Sequence, residues 1–331
     1  MLTNVSPINA DSLRVAKSIL EKGGVVAFPT ETVYGLGADA RLDSAVEEIY
    51  KIKGRPSDNP LIVHVHRDYD LSLLISDEQP YVKKLREAFL PGPLTLVYRG
   101  KNAVSKKVSC GLDTLAIRVP AHDGAQEFLR SVDMPIAAPS ANISKHISPV
   151  SAEHVLEDLG GRIPLILDGG RCSGGIESTV CDVTGEIPVV LRSGLISMEM
   201  IADVVGRCDT YIPKAGEQVR SPGMKYKHYA PKCSTLLFEF NQLDEALLEF
   251  RRLLEQGKRV LILCEKEIGY LFPKESVLNL GATETEMAAN LYQLLHEGEK
   301  RADVLIGIVP KKHDGIMAGV INRLSKACAG E

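Results

Sequence analysis

The sequence lacks the features that direct a chain into a membrane or out of the cell. Its 331 residues contain no apolar run of about eighteen residues, no charged-then-apolar leader before Asp11 and no lipidation motif. The composition, 44% hydrophobic and 25% charged, is that of a globular protein, and the length favours two domains over one. We therefore predict a cytoplasmic protein that makes no contact with a membrane.

Motifs for several common kinds of site are absent as well. The seven cysteines are odd in number and never form a C-x-x-C pair, which argues against a disulfide framework or a zinc ribbon and predicts reduced, mostly buried thiols. His64 and His66 share one face of a strand but have no third ligand nearby, so we predict no zinc site. Covalent catalysis is not expected, because there is no G-x-S-x-G elbow and no cysteine in a setting that marks a thiolate nucleophile.

Strand and helix patterns alternate through the first two hundred residues. Asp43 is a plausible N-cap for a helix over residues 44–52. The alternation predicts one α/β domain on a many-stranded, mixed sheet at residues 1–205. The predicted strands are 25–28, 61–65, 94–98, 115–119, 136–138, 163–167, 179–183 and 189–191, and the predicted helices are 11–21, 44–52, 81–89, 125–131 and 152–159.

The composition changes after Gly206. Residues 213–232 are rich in proline, glycine and cations and have almost no aliphatic side chains, so residues 206–232 are predicted to form a linker. A second domain is predicted at 233–331, as a small parallel sheet with crossover helices and without a standard Rossmann glycine loop. Its predicted strands are 236–240, 260–264, 277–280 and 304–309, and its predicted helices are 243–255, 284–296 and 316–326.

Cations recur at particular places in the first domain. Lys53 and Arg55 end a helix, where the simpler interpretation is favourable interaction with the helix dipole and the alternative is a polyanion site. Arg118 and Arg192 are single arginines in apolar strands, which suggests paired or ligand-bound guanidinium groups. The net charge of −4 offers no large positive surface for a nucleic-acid duplex, although a local basic pocket fits it.

Small polar residues follow several of the strands. The segment at 138–142 allows close approach of backbone and hydroxyl groups to a ligand, but in isolation a turn capped by an Asn or Ser side chain is its default interpretation. The segment at 174–179 repeats this pattern before another strand. His64 is equally consistent with a hydrogen-bonded core imidazole. From these residues alone, the ligand-binding and the purely structural interpretations stay open.

Taken together, the segments resemble a known family. In order and spacing they are similar to the threonylcarbamoyl-AMP synthases, the long two-domain form of the YrdC-like family, over about residues 13–232. Two conservative departures are Ile176 before Glu177 and Lys227 in the linker. The segments that carry the resemblance are FPTETVYGLG, IYKIKGRPSDNPLIVHV, PGPLTLV, LDTLAIRVP, PIAAPSANIS, LDGGRCSGGIESTV, LRSG and SPGMKYKHYAP.

The resemblance implies a fold and a reaction. The fold is α/β: a YrdC-like domain with a twisted, mostly mixed sheet flanked by helices, and a smaller C-terminal Rossmann-like parallel domain. The reaction joins L-threonine, bicarbonate and ATP into threonylcarbamoyl-AMP and pyrophosphate. Partner transferase proteins then modify adenosine 37 of tRNAs that read codons beginning with A, so contact of this chain with tRNA would be indirect. Mg²⁺ would arrive on ATP with no ligand from a protein side chain, and no organic cofactor is implied.

The resemblance also implies roles for individual residues. Lys53 and Arg55 would be catalytic, and Arg118 would clamp the threonine carboxylate. The proton acceptor for the threonine amine stays open among Glu31, Asp168 and Glu177. Threonine would be held by Thr30, Thr32, Tyr34, His64, Arg118, Ala138 and Ser178, and ATP by Lys53, Arg55, Asn59, Thr114, Ser140, Asn142, Ser148 and Arg192.

A lid over the site is a further expectation. The linker is basic and aromatic, and its His228 and Tyr229 favour closure over a water-sensitive intermediate, whereas a plain tether would have no use for them. Two other functions are weighed beside the synthase. One is a non-catalytic module that binds double-stranded RNA or tRNA, and the other is a carbamoyltransferase of the hydrogenase-maturation type, although the chain lacks that type's zinc modules and extra length.

Overall fold

The computed structural model describes residues 2–212 and 229–328, and these divide into two compact units. The larger unit comprises residues up to 144 together with 149–173 and 177–212. The smaller comprises 145–148, 174–176 and 229–328. Across these ranges, none of the helices is both long enough and apolar enough to cross a bilayer.

The larger unit is built on a mixed sheet of 11 strands within the described residues. Both parallel and antiparallel neighbours occur, in the order β1-β8-β2-β3-β7-β4-β6-β5-β9-β10-β11 for the strands defined next. The strands are β1 Asn4–Pro7, β2 Val26–Phe28, β3 Gly35–Asp39, β4 Ile62–His64, β5 Leu94–Arg99, β6 Thr114–Arg118, β7 Ile136–Ala137, β8 Leu165–Asp168, β9 Thr179–Asp182, β10 Val189–Arg192 and β11 Asp209–Thr210.

Helices flank this sheet; five of them agree with the predicted helices to within two residues, and those at 106–109 and 198–205 were not predicted. The helices are α1 Ala10–Glu21, α2 Asp43–Lys53, α3 Val82–Phe89, α4 Lys106–Ser109, α5 Asp123–Val132, α6 Ala152–Leu159 and α7 Met198–Val205. One apolar cluster lies between α1, α5 and the sheet, where the tilted rings of Phe28 and Phe128 pack with centroids 5.0 Å apart. The core therefore fixes the strands from which the polar residues described below project.

The prediction that Asp43 caps α2 is wrong. The helix starts at Asp43 itself, and the preceding Leu42 makes no side-chain cap. The Asp43 carboxylate accepts a hydrogen bond from the Ser105 hydroxyl instead, and Ser105 caps α4. A negative charge in the first turn still favours the helix through its dipole, so the helix start was displaced by only one residue.

Strand β3 was missed by the sequence pattern. Its residues Gly35 and Gly37 are poor strand formers, yet a Cβ on Gly37 would lie 2.9 Å from the Phe28 ring and 2.7 Å from Ile136. Glycine is needed here because neighbouring side chains pack directly on the backbone. The glycines that allow this close packing have no side chains, so the strand shows no apolar pattern in the sequence.

The smaller unit contains a parallel sheet in the order β12-β15-β13-β14. Phe250 and Phe272 pack edge to face in its core, 5.5 Å apart. Its elements are β12 Ser234–Phe238, α8 Leu243–Glu255, β13 Val260–Cys264, β14 Val277–Asn279, α9 Glu284–Arg301, β15 Val304–Ile308 and α10 Met317–Cys328. The predicted fold class, a large mixed sheet with a separate small parallel sheet, is confirmed.

The predicted linker at 206–232 stays a prediction. Residues 213–228 lie outside the described residues, and Asp209–Thr210, inside the predicted range, pairs with β10 as strand β11. The domain limits chosen from the sequence also stay predictions.

Candidate active site

One row of residues crosses five neighbouring strands of the large sheet. His64 on β4 is in register with Arg118 on β6, and Arg118 is in register with Thr95 on β5. Thr95 pairs with Val180 on β9, which in turn pairs with Arg192 on β10. Residues in register on adjacent strands project from the same face. The register of β10 shifts between Val190 and Arg192, and Arg192 joins the row through Ser178, whose hydroxyl lies 2.8 Å from that of Thr95.

Arg118 is at the centre of a buried polar cluster. Its guanidinium, 4% exposed, donates from Nη1 to the Thr32 hydroxyl at 2.7 Å, and Nη2 lies 2.8 Å from Glu31 Oε1. The Thr32 hydroxyl is 2.9 Å from the Thr30 hydroxyl. The Thr30 hydroxyl donates to the Val33 carbonyl at 2.6 Å. Because the Thr30 proton is used in this way, Thr32 is the donor between the two hydroxyls, and all three side chains are held in one chain of hydrogen bonds.

His64 is a neutral, buried imidazole. Its Nδ1 lies 3.2 Å from the Ile62 carbonyl oxygen, and its ring packs edge-on against Phe28. Burial and the neighbouring Arg118 charge lower the pKa of His64 to about 3. An imidazole in this state presents no positive charge to a ligand at neutral pH, so the charge of the row comes from its arginines.

This pKa predicts a specific acid lability. Below the ordinary pKa of 6.5 the unfolded chain binds a proton that folded His64 does not, so stability falls as the pH drops from 6.5 towards 3. Between pH 7 and pH 5 we expect His64 to account for about 2 kcal/mol of lost unfolding free energy. Urea unfolding of the wild type and of His64→Gln at both pH values measures it. Equal losses in the two proteins would contradict the prediction, since the other histidines are common to both.

Ser178 and Arg192 form the other end of the row. Arg192 Nη2 donates to the Ser178 carbonyl at 2.9 Å, and the Ser178 hydroxyl lies 2.8 Å from that of Thr95. Arg192 therefore fixes the backbone that presents Ser178. Thr95 was not among the predicted site residues, although a lone threonine in the apolar segment PLTLV was a usable signal.

Gly194 allows the backbone after Arg192 to pack closely against the backbone at Glu177 and Ser178. A Cβ at position 194 would lie 2.6 Å from the Glu177 carbonyl oxygen and 2.6 Å from the Ser178 carbonyl carbon, closer than real Cβ contacts. Because both are backbone atoms, Gly194→Ala is expected to destabilise the fold by about 2 to 3 kcal/mol. The matched control is Gly185→Ala, whose Cβ would meet only the Ile187 carbonyl at 3.8 Å. Thermal melting of both variants tests this, and equal melting temperatures would refute it.

Lys53 is buried beneath the loop that contains Ser140 and Asn142. Lys53 is only 3% exposed. Its Nζ donates to the carbonyls of Ser140 and Asn142, each at 2.6 Å. The Ser140 hydroxyl donates to Asn142 Oδ1 at 2.6 Å. Burial first, and then Arg55, lower the pKa of Lys53. The structure thus brings together Lys53, Ser140 and Asn142, with the lysine supporting the loop.

Arg55 and Asn59 form a second polar cluster. Arg55 Nη2 donates to the Asn59 carbonyl at 3.0 Å. The Asn59 side chain is fully buried, and its amide has no hydrogen-bond partner among the described residues. A buried amide left unsatisfied is costly, so the Asn59 side chain has hydrogen-bonding capacity that the described protein groups do not use. Arg55 also lines a cavity of about 810 Å³ with Lys51, Lys106 and Lys107, and the last two were not predicted.

Two other predicted residues make hydrogen bonds within the protein, and a third lies apart from Arg118. The Tyr34 hydroxyl donates to the Gly170 carbonyl at 2.7 Å, and burial raises the pKa of Tyr34. The Ala138 amide donates to the Ile62 carbonyl at 2.9 Å. Thr114 lies four residues from Arg118 on β6, about 13 Å at the usual strand rise, so these two residues are not in direct contact.

The remaining predicted residues belong to the smaller unit or lie outside the described residues. Ser148 is buried, and its carbonyl oxygen is 3.2 Å from His296 Nε2. The Tyr229 ring stacks on Tyr292 with centroids 5.2 Å apart, and its φ of 68° is in the left-handed region. His228 lies outside the described residues, so the lid stays a prediction.

Cysteine thiols and carboxylates are the other side chains that could bind a metal ion. All seven cysteines are free thiols, and burial raises the pKa of Cys172 to about 12. Among residues 2–212 and 229–328, no three His, Cys, Asp or Glu side chains are placed to hold one metal ion. The prediction of mostly buried thiols is confirmed, since Cys172, Cys181, Cys208, Cys264 and Cys328 are buried.

Comparison with known families agrees with this architecture. The family model of Sua5, YciO and YrdC proteins, described as telomere recombination, matches residues 18–194. A second model, described as the threonylcarbamoyl-AMP synthase C-terminal domain, matches residues 196–329. The chain therefore belongs to the Sua5, YciO and YrdC family in its two-domain form.

Within that family the similarity extends over nearly the whole chain. It is 40% identical to the threonylcarbamoyl-AMP synthase of Pyrococcus abyssi, covering 95% of this chain and 93% of that protein. It is also 40% identical to the Bacillus subtilis enzyme of the same name, over 99% and 96% of the two chains. The crystal structure of P. abyssi Sua5 complexed with L-threonine superposes with a TM-score of 0.88 at 37% identity, covering 99% and 97%. The family resemblance seen in the sequence is confirmed.

Proposed function

We propose that this chain is an L-threonylcarbamoyladenylate synthase, an enzyme that joins L-threonine, bicarbonate and ATP into threonylcarbamoyl-AMP and pyrophosphate. The observation that carries the proposal is the buried Arg118, which donates to the Thr32 hydroxyl, itself hydrogen-bonded to the Thr30 hydroxyl. A guanidinium that is 4% exposed and lies beside linked hydroxyl groups matches the carboxylate and hydroxyl of threonine. The P. abyssi relative, solved with L-threonine, supports the same ligand.

Threonine is proposed to lie against the strand row. Arg118 clamps its carboxylate, Thr30, Thr32 and Ser178 supply hydroxyl groups, and neutral His64 fills the base of the row. Tyr34 and Ala138 act through the backbone that they hold, since their own polar groups contact the protein. The binding energy then comes from one charged contact supported by several neutral ones.

ATP is proposed to use the cations and the loop held by Lys53. Arg55 presents its charge at the basic cavity. The unsatisfied amide of buried Asn59 is proposed to exchange a hydrogen bond with the nucleotide. Mg²⁺ enters as part of the ATP substrate, because Mg²⁺ prefers oxygen ligands and the phosphates provide them. The other nucleotide contacts are assigned to Thr114, Ser140, Asn142, Ser148 and Arg192.

The reaction needs no covalent enzyme intermediate. The threonine amine and bicarbonate give a carbamate, and a carbamate oxygen attacks the α-phosphorus of ATP in line as pyrophosphate leaves. The protein contributes positioning and stabilisation of the developing negative charge, as in other transfers at phosphorus. In the cytoplasm, the product would then pass to a threonylcarbamoyl transferase acting on adenosine 37 of tRNA.

Pyrophosphate release from Mg²⁺ and ATP tests the proposal. Release should require both L-threonine and bicarbonate, and serine should substitute poorly. Release that ignores threonine would refute the synthase, and release driven by carbamoyl phosphate would instead identify a carbamoyltransferase. Salt-dependent RNA binding without any ATP cleavage would identify a non-catalytic RNA-binding module.

A further inference from the structure

Glu31 is a buried carboxylate that the sequence could not distinguish from two others. Both of its oxygens are buried and make no aligned hydrogen bond with the described residues, although Oε1 is 2.8 Å from Arg118 Nη2. Arg118 Nη2 and Nε likewise make no aligned hydrogen bond. The two charges are thus close but poorly aligned, which is the arrangement that a better-fitting ligand can displace.

The other two carboxylates are engaged elsewhere. Asp168 is exposed and accepts from the Gly170 amide at 2.9 Å and lies 3.3 Å from the Tyr34 hydroxyl. The negative charge of Glu177 acts on buried Lys53 and favours its protonated form. Glu31 is therefore the carboxylate in contact with the arginine assigned to threonine.

A zwitterionic ligand changes this pairing without changing the charge of the cluster. When the threonine carboxylate binds Arg118, the Glu31 carboxylate loses its cation, and a buried charge without a partner is strongly unfavourable. The α-ammonium of the same threonine is the cation that arrives with the ligand. One ion pair inside the protein is then replaced by two between protein and ligand.

We propose that Glu31 receives the α-ammonium of threonine and accepts its proton, an inference that rests on the proposed function. The proton moves from the ammonium nitrogen to a Glu31 oxygen. The freed lone pair forms a bond to the bicarbonate carbon, the C–O bond to hydroxide breaks, and the hydroxide takes a second proton from nitrogen and leaves as water. Glu31 returns its proton to solvent after the product departs, so the carboxylate is regenerated.

The first test compares two ligands by calorimetry without ATP. L-threonine carries both charges, whereas 3-hydroxybutyrate has the same carboxylate and hydroxyl but no amine. In Glu31→Gln the affinity for L-threonine should fall on the order of 30-fold, as expected for loss of a charged contact. The affinity for 3-hydroxybutyrate should rise, because Glu31 no longer competes for Arg118. A merely structural role would weaken both ligands together, and that result would overturn the proposal.

The second test measures catalysis and uses Glu31→Asp as the conservative variant. At saturating threonine, kcat for pyrophosphate release should fall at least about tenfold in Glu31→Gln and recover in part in Glu31→Asp. An unchanged kcat in Glu31→Gln would overturn the assignment of the proton to Glu31. Thermal melting verifies that both variants fold. Failure of the proposed function is distinguishable, since wild-type protein would then release no pyrophosphate with threonine, bicarbonate and ATP.

Discussion

Replacing Arg118 by methionine is expected to lower threonine-dependent pyrophosphate release by at least about a thousandfold and to destabilise the protein by about 3 to 5 kcal/mol. Two losses combine. The threonine carboxylate loses its guanidinium clamp, and Glu31 is left as a buried carboxylate without the cation that is now 2.8 Å away. Initial rates with saturating ATP and urea unfolding at pH 7.5 measure the two effects separately.

A second substitution separates the two losses. In the double variant Arg118→Met with Glu31→Gln, much of the stability should return because no buried charge is left unpaired, whereas activity should stay absent. The matched control is Arg99→Met on β5, since Arg99 is an exposed arginine of the same sheet. If Arg118→Met kept wild-type activity, the proposed threonine site would be wrong.

Replacing Lys53 by methionine is expected to slow pyrophosphate release by about a hundredfold or more. The loop carbonyls of Ser140 and Asn142 would lose a shared donor that lies 2.6 Å from each. Methionine fills a similar volume, so the defect would come from the lost charge and hydrogen bonds and from the displaced loop. Steady-state rates at varied ATP measure the effect, which should appear in both kcat and KM for ATP.

An exposed lysine on another helix provides the control for this variant. Lys83 is in α3, its side chain is 77% exposed and it pairs with Glu87 at 3.9 Å. Lys83→Met should therefore change the rate by less than about threefold, because exposed ion pairs contribute little. Comparable losses in Lys83→Met and Lys53→Met would indicate a general charge effect and contradict a specific role for the buried lysine.

The sequence predicted the elements whose signal is an apolar pattern. Residues 243–255 and 260–264 were predicted with the observed limits, because an amphipathic helix and an apolar strand each have a clear period. Strand β3 could not be found in this way, since Gly35 and Gly37 carry no side chain and are selected by the packing of Phe28 and Ile136. Tertiary packing decided this strand, and a single sequence does not display it.

The candidate site shows the same division. Arg118 and Arg192 were visible as charges in apolar strands, but their common row with Thr95 depends on the strand register. The burial of Lys53, the unsatisfied amide of Asn59 and the proximity of Glu31 to Arg118 depend on contacts between distant segments. The residue types are visible in the sequence, whereas the burial and the partners of each side chain are known only from the fold.

The row across β4, β6, β5, β9 and β10 has a consequence for how such a site can change during evolution. A side chain on a strand in the middle of a sheet can be exchanged while the backbone stays fixed by its neighbours on both sides. The loop at 140–142 lies outside that row and is held by the buried Lys53 amine and by the Ala141 amide, which donates to the Tyr34 carbonyl at 2.8 Å. Under the proposed assignments, side chains of the row could therefore be exchanged by single substitutions, whereas the contacts of the loop with the nucleotide could change only together with the segments that hold the loop.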